Sequence, residues 1–151
     1  LAKFEQKVGV RVEDLASIAE FGGGYGALAL LTYRLGFRGD YTICDLPEFR
    51  LLQEWYLGEL QVPCRWGNAA EADLLIAAYS ISEVGVRNRY RIIRRFPSRY
   101  YLFLYSADWA RWNNRMWFSE LRTKRMRGSH TWHEEKVMDR PDWYLFGWKN
   151  G

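Results

Sequence analysis

Cysteine is scarce, with two residues in a chain of 151. Cys44 and Cys64 both sit inside apolar stretches and need no disulfide to explain them, which argues against a disulfide-stapled scaffold and fits a reducing, cytoplasmic setting. Histidine is equally sparse, His130 and His133 being the two. Glu134 and Glu135 lie beside them, but odd spacing along a strand sends the two rings to opposite faces, so no metal centre is expected. No apolar run approaches the ~20 residues that span a bilayer, and no membrane partner is expected. The opening LAKFEQKVG carries charges and lacks the apolar core of a signal peptide. It also starts without Met, as a segment trimmed from a longer chain would. Repeats and low-complexity stretches are missing, which leaves one domain over residues 15–151 behind a short lead-in, residues 1–14.

What is abundant is aromatic: 17% of residues, eight of them Trp, within an otherwise ordinary balance of 48% hydrophobic and 26% charged. Net charge is +4. Much of it comes from VRNRYRIIRRF (Val86–Phe96) and RTKRMR (Arg122–Arg127). These arginines read as solvated helix faces, so nucleic acid is not the expected partner, although an anionic one would be attracted.

Strand-like and helix-like stretches alternate. LASIAEF (Leu15–Phe21), YTICDL (Tyr41–Leu46), VPCRW (Val62–Trp66), ADLLIAAYS (Ala72–Ser80) and RYYLFLYSA (Arg99–Ala107) read as strands. Between them, YGALALLTYRL is helical and ends at Gly36, a left-handed cap. Pro47 opens a second helix with Phe49, Leu52, Tyr56 and Leu60 at helical spacing. A third, EVGVRNRYRIIRRF, carries Tyr90, Ile93 and Phe96 on one stripe, and a fourth runs from about Trp109 to Met126. His130–Val137 and Asp142–Trp148 are the last strands. The turn joining them, MDRP, is too short for a helix and forces antiparallel pairing. The expected fold is α/β: a Rossmann-like, doubly wound, seven-stranded sheet, mostly parallel, with one antiparallel C-terminal strand.

In such a sheet the ligand lies beyond the carboxyl ends of the strands, so the turn after the first strand, Glu20 to Gly26, should meet it. Gly22, Gly24 and Ala27 match the G-x-G-x-x-G/A turn that holds a dinucleotide pyrophosphate. Glu20 argues against that guest, because a carboxylate at the lip would repel two phosphates. S-adenosylmethionine has no phosphate and carries an ammonium and a sulfonium, which a strand-end carboxylate attracts. Asp45, ending the second strand, suits a pair of ribose hydroxyls. NAD enzymes use the same device, so Asp45 does not discriminate.

EFGGGYGALALL, YTICDLPE and DLLIAAYSISEV together resemble the class I S-adenosylmethionine-dependent methyltransferases. The sequence is most similar to their sugar O-methyltransferase group, which shares an E-x-G-G-G-Y-G turn, a D-L-P-E strand end and a Y-S-x-S-E segment. The resemblance spans roughly Leu15 to Trp148. It implies that Glu20, Gly22, Gly23, Gly24, Tyr25 and Gly26 hold the methionine end of the cofactor, and that Asp45 holds the ribose with Leu46 against the adenine. Asn68 would accept from the adenine amino group, and Tyr79 and Ser80 would border the methyl group. That group also carries a helical region before this core, which covers the substrate.

Methyl transfer to a hydroxyl needs a base within hydrogen-bond reach. Glu83, just beyond the fourth strand, is the first candidate, with a helix-dipole role as its alternative. Asp108, after the fifth strand, is well placed but suits a helix cap equally. His133 is the third candidate, although the early part of a parallel strand faces away from the crevice. A small hydroxylated substrate, a sugar among the candidates, is the expected partner. A NAD-dependent oxidoreductase, an RNA-directed methyltransferase or binding module, and a cofactor-binding fragment without activity stand as alternatives.

Overall fold

The computed structural model describes residues 1–68, 71–110 and 112–151. Five strands, β1 (Ser17–Phe21), β2 (Asp40–Cys44), β3 (Arg65–Trp66), β4 (Ala72–Ala78) and β5 (Ser98–Ser106), run parallel. A two-residue ribbon follows, β6 (Asp108–Trp109) with β7 (Trp112–Asn113). The hairpin of β8 (His130–Lys136) and β9 (Asp142–Lys149) then completes the main sheet, whose order is β3-β2-β1-β4-β5-β9-β8. Strand β9 is antiparallel to both neighbours, the single reversal expected from the short MDRP turn. Strand order changes direction between β1 and β4, where Ile18 pairs with Tyr41 on one side and Leu74 on the other.

Strand β4 shows why the sheet is covered on both faces. Leu74 and Ile76 pack into one apolar cluster, Leu75 and Ala77 into the other, as period-two alternation requires. Removing each of the Leu and Ile side chains from water contributes about 1.5–3 kcal/mol. The first cluster takes Phe4 from α1 (Ala2–Val8), Ala29 from α2 (Ala27–Arg34) and Leu57 from α3 (Pro47–Glu59). The second takes Ile93 from α5 (Val86–Arg95), and Trp117 and Phe118 from α6 (Asn114–Glu120). The lead-in joins the first cluster, because Phe4 and Val12 are both buried. Among the described residues no helix is long and apolar enough to cross a membrane.

Four local expectations are revised. The third strand shrinks to Arg65–Trp66, since Pro63 cannot donate to a ladder. The helix after β4 breaks at Val84–Gly85 into α4 (Ser80–Glu83) and α5. The fourth helix starts only at Asn114, because the β6–β7 ribbon occupies the Trp-rich stretch before it; Asn113 caps it, accepting from Met116 N at 2.8 Å. It closes in a π-helical turn, Leu121–Arg125. Finally, α3 buries Gln53 and Leu57, whereas Phe49, Leu52 and Leu60 are exposed. That helix is apolar on more than one side, so spacing alone did not identify its inward face.

The turn from β1 to α2 depends on glycine in two different ways. Gly22 has φ +76°, and a Cβ there would come within 2.8 Å of Ser80 Oγ, which donates to the Phe21 carbonyl. Gly24 has φ +57°, but a Cβ there would meet nothing within 4 Å. Gly22→Ala should therefore cost about 2–4 kcal/mol from backbone and packing together, and Gly24→Ala only about 1–2 kcal/mol from backbone alone. Urea denaturation of the two variants checks the ranking; equal losses would contradict it.

Candidate functional site

A cavity of about 480 Å³ opens at the carboxyl ends of β1, β2 and β4, beside the reversal in strand order. That is where an open α/β sheet receives its ligand, and the volume suits a small molecule. Of the residues proposed from sequence, Gly22, Gly24, Asp45, Leu46, Tyr79, Ser80 and Glu83 line it, joined by Phe21, Cys44, Phe49, Ala78 and Val84. Its charged lining residues are Asp45 and Glu83. No lysine or arginine is among the described residues of the wall.

Glu20 is not in that wall. Alternation along β1 puts it on the same face as Ile18, and its side chain is only 2% exposed beneath the glycine turn. Tyr41 Oη donates to its Oε2 at 2.9 Å, and a Cβ on Gly23 would approach that same oxygen to 3.2 Å. The carboxylate expected at the lip thus lies under the loop, in reach of its backbone. Burial pushes its pKa up to about 7; the Tyr41 hydrogen bond opposes this and the Asp45 charge adds to it.

Asp45 does face the cavity, and its carboxylate is already organised by the protein. Oδ2 accepts from Gly24 N at 3.0 Å and from Gln53 Nε2 at 2.9 Å, and Oδ1 accepts from Leu46 N at 2.8 Å. Gln53, fully buried on α3, also donates to the Gly24 carbonyl at 2.7 Å. One amide group thus ties the Asp45 carboxylate to the glycine turn. This clamp was missed because a lone Gln in an apolar helix carries no sequence signature. Its only cue is that the inward position is polar.

Leu46 is 61% exposed at the cavity rim. Asn68 is exposed and outside the wall, its Oδ1 lying 3.8 Å from the Sγ of Cys44, which is in it. Tyr25 is exposed and meets Tyr56 edge-on with ring centroids 5.3 Å apart. Gly23 and Gly26 back the loop against Ile43 and Leu57 rather than line the cavity. Asp108 sits in the β6–β7 ribbon opposite Asn113, and His133 stacks on Phe146 in β9, 3.9 Å from Glu135; neither lines the cavity.

Arg89 also departs from the expected solvated arginine face. Its side chain is 0% exposed, donating from Nε to the Val84 carbonyl at 2.7 Å and from Nη2 to the Ser82 carbonyl at 2.6 Å. The guanidinium lies 5.2 Å from the Trp117 ring centre. Desolvation lowers its pKa to about 10. It holds from behind the loop that presents Glu83 to the cavity.

No family model and no curated protein matches this sequence. Solved structures do match in fold. The mitomycin 7-O-methyltransferase MmcR superposes with a TM-score of 0.69 at 14% identity, over 99% of this chain and 53% of its own. The chain therefore spans about half the length of that enzyme. The ribosomal protein L11 methylase from Lactobacillus delbrueckii subsp. bulgaricus gives 0.69 at 12% identity, over 99% and 77%. The 16S rRNA methylase ArmA gives 0.64 at 13%, over 99% and 81%. The chain has the Rossmann-like fold of these methyltransferases.

The buried Glu20 gives the turn a pH signature. Its folded pKa of about 7 exceeds the ordinary 4.5, so its contribution to stability is fully present below about pH 4.5 and is lost as pH rises through about 7. The full swing is about 3 kcal/mol. Glu20→Gln keeps an acceptor for Tyr41 and removes the titration. Relative to this variant, the wild type should lose stability between pH 5 and pH 8 in chemical denaturation, and parallel profiles would contradict the assignment.

Proposed function

We propose that this chain is an S-adenosylmethionine-dependent methyltransferase acting on a hydroxyl of a small molecule, with a sugar as the acceptor favoured by its motifs. The observation that carries the reading is the charge of the cavity: Asp45 and Glu83 in the wall, no cation among its described residues, and a third carboxylate, Glu20, beneath its floor. At short range in a partly desolvated site these carboxylates repel a diphosphate and attract a cation. Gly24 also donates its N–H to Asp45 Oδ2 instead of leaving it for a phosphate oxygen.

The residues present fit the cofactor. A Cβ on Gly24 would meet nothing within 4 Å, so the turn leaves open space beside its own backbone. Asp45 Oδ1 keeps one lone pair for a ribose hydroxyl, and exposed Leu46 and Phe49 offer an apolar rim for the adenine. Gly22, Ser80 and Tyr79 border the far end. When bound, S-adenosylmethionine supplies a methyl group on a good leaving group, so the protein's task is alignment and proton removal. Glu83 faces the cavity and is one base among the groups of the wall.

Similarity in fold to a mitomycin 7-O-methyltransferase, a ribosomal protein L11 methylase and a 16S rRNA methylase supports methyl transfer as the class. The D-L-P-E and Y-S-x-S-E segments favour the hydroxylated small molecule. Free Cys44 and Cys64 suit the cytoplasm.

Calorimetry at pH 7 tests the reading. S-adenosylhomocysteine should bind and NAD should not, and Asp45→Asn should weaken binding about tenfold or more. S-adenosylmethionine should release more proton than S-adenosylhomocysteine, because its sulfonium favours the ionised form of Glu20. That excess should vanish in Glu20→Gln. Binding of NAD with no response to either methionine compound would overturn the assignment.

A further inference from the structure

Tyr79, the first residue after β4, is held in a conformation that side chains other than glycine rarely adopt, with φ +66° and ψ −36°. Such strain persists only where the surroundings enforce it. Here Tyr79 N donates to the Leu104 carbonyl at 2.6 Å, and its own carbonyl accepts from Ser82 N at 2.8 Å. The result turns a cavity-lining residue so that its phenol reaches past β5 to the start of β9, where Oη donates to Asp142 Oδ2 at 2.9 Å.

Asp142 opens β9 and is only 7% exposed. Its other oxygen, Oδ1, accepts from Ser106 Oγ at 2.7 Å, its register partner at the end of β5. No ion pair is recorded for it among the described residues. A buried carboxylate costs several kcal/mol unless compensated, and here hydroxyl donors compensate it. The charged or titratable groups facing Tyr79 are Asp142, Arg140 from the turn before β9, and Tyr144 on β9. A carboxylate accepting the phenol proton makes the phenol oxygen a stronger acceptor in its turn.

Building on the methyltransferase reading, we propose that Tyr79 and Asp142 form a proton relay for the acceptor hydroxyl, with Tyr79 touching the acceptor and Asp142 taking the proton. As the acceptor oxygen forms its bond to the methyl carbon, the carbon–sulfur bond breaks and sulfur keeps the electron pair. The hydroxyl proton passes to Tyr79 Oη, and the original Tyr79 proton passes to Asp142 Oδ2. The phenol is regenerated and the carboxyl group returns its proton to solvent. The Glu83 carboxylate, also in the wall, is then left to serve the cationic end of the cofactor.

The test uses the whole chain with tyrosines carrying 13C at Cζ, the Tyr79 signal being the one lost in Tyr79→Phe. Burial, and then Asp142, raise the ionisation of this phenol above its usual value, so Asp142→Asn should lower it. Turnover is read with methyl-labelled S-adenosylmethionine and concentrated glycerol as a minimal polyol. Tyr79→Phe and Asp142→Asn should each reduce transfer about 100-fold or more, with the double variant no worse than the single ones. Affinity for S-adenosylhomocysteine should stay within about fivefold. In Asp142→Asn the rate should climb about tenfold per pH unit where the wild type is flat. An unmoved Tyr79 titration, undiminished turnover, additive losses, or a wild type that binds S-adenosylhomocysteine without methylating glycerol would each overturn the relay. A wild type that fails to bind S-adenosylhomocysteine would instead overturn the methyltransferase reading itself.

Discussion

The Asp45 carboxylate holds the site together. It accepts from the Gly24 amide in the first crossover and from the Gln53 side chain in the second, so two loops that meet only at the sheet edge share one anion. Gln53 completes the ring by donating to the Gly24 carbonyl. With Glu20 packed beneath the same turn and donated to by Tyr41, the backbone there is fixed against two carboxylates before any ligand arrives. A preorganised site of this kind asks little further ordering of its guest, and it sets the sign of the charge it will accept.

That arrangement changes how the electrostatic preference works. A carboxylate standing at the cavity mouth would attract a cation by direct contact. In the proposed reading buried Glu20 instead acts from below, through one layer of backbone, with a pKa near neutrality that would couple its charge to the guest's. In that reading the wall offers the direct contacts, through Asp45 and Glu83. On the opposite lip, buried Arg89 fastens the Ser82–Val84 segment by its carbonyls, so a cation stiffens the loop without entering the cavity.

Much of the fold was legible because parallel strands buried on both faces leave continuous apolar runs, as in Ala72–Ala78, and because the MDRP turn admits one pairing only. The direction of Glu20 was legible too, in hindsight of strand alternation: Ile18 and Glu20 share a face, Ala19 and Phe21 the other. What local patterns could not give were the polar residues whose partners are remote. Gln53 answers to Gly24 and Asp142 to Tyr79, contacts that exist only after the sheet has closed. Arg89 answers to backbone carbonyls, which no side-chain pattern encodes. The β6–β7 ribbon escaped for another reason, since its Trp-containing strands satisfy helix and strand patterns alike.

The central claim is that a cavity walled by carboxylates receives a cationic methyl donor. A cocrystal structure with S-adenosylhomocysteine tests it most directly. The claim predicts the ribose on Asp45 Oδ1, the amino acid end against Gly22–Gly24 above Glu20, and the sulfur turned towards Tyr79 and Ser80. A ligand found elsewhere on the sheet, or a nucleotide diphosphate seated on the glycine turn instead, would contradict it.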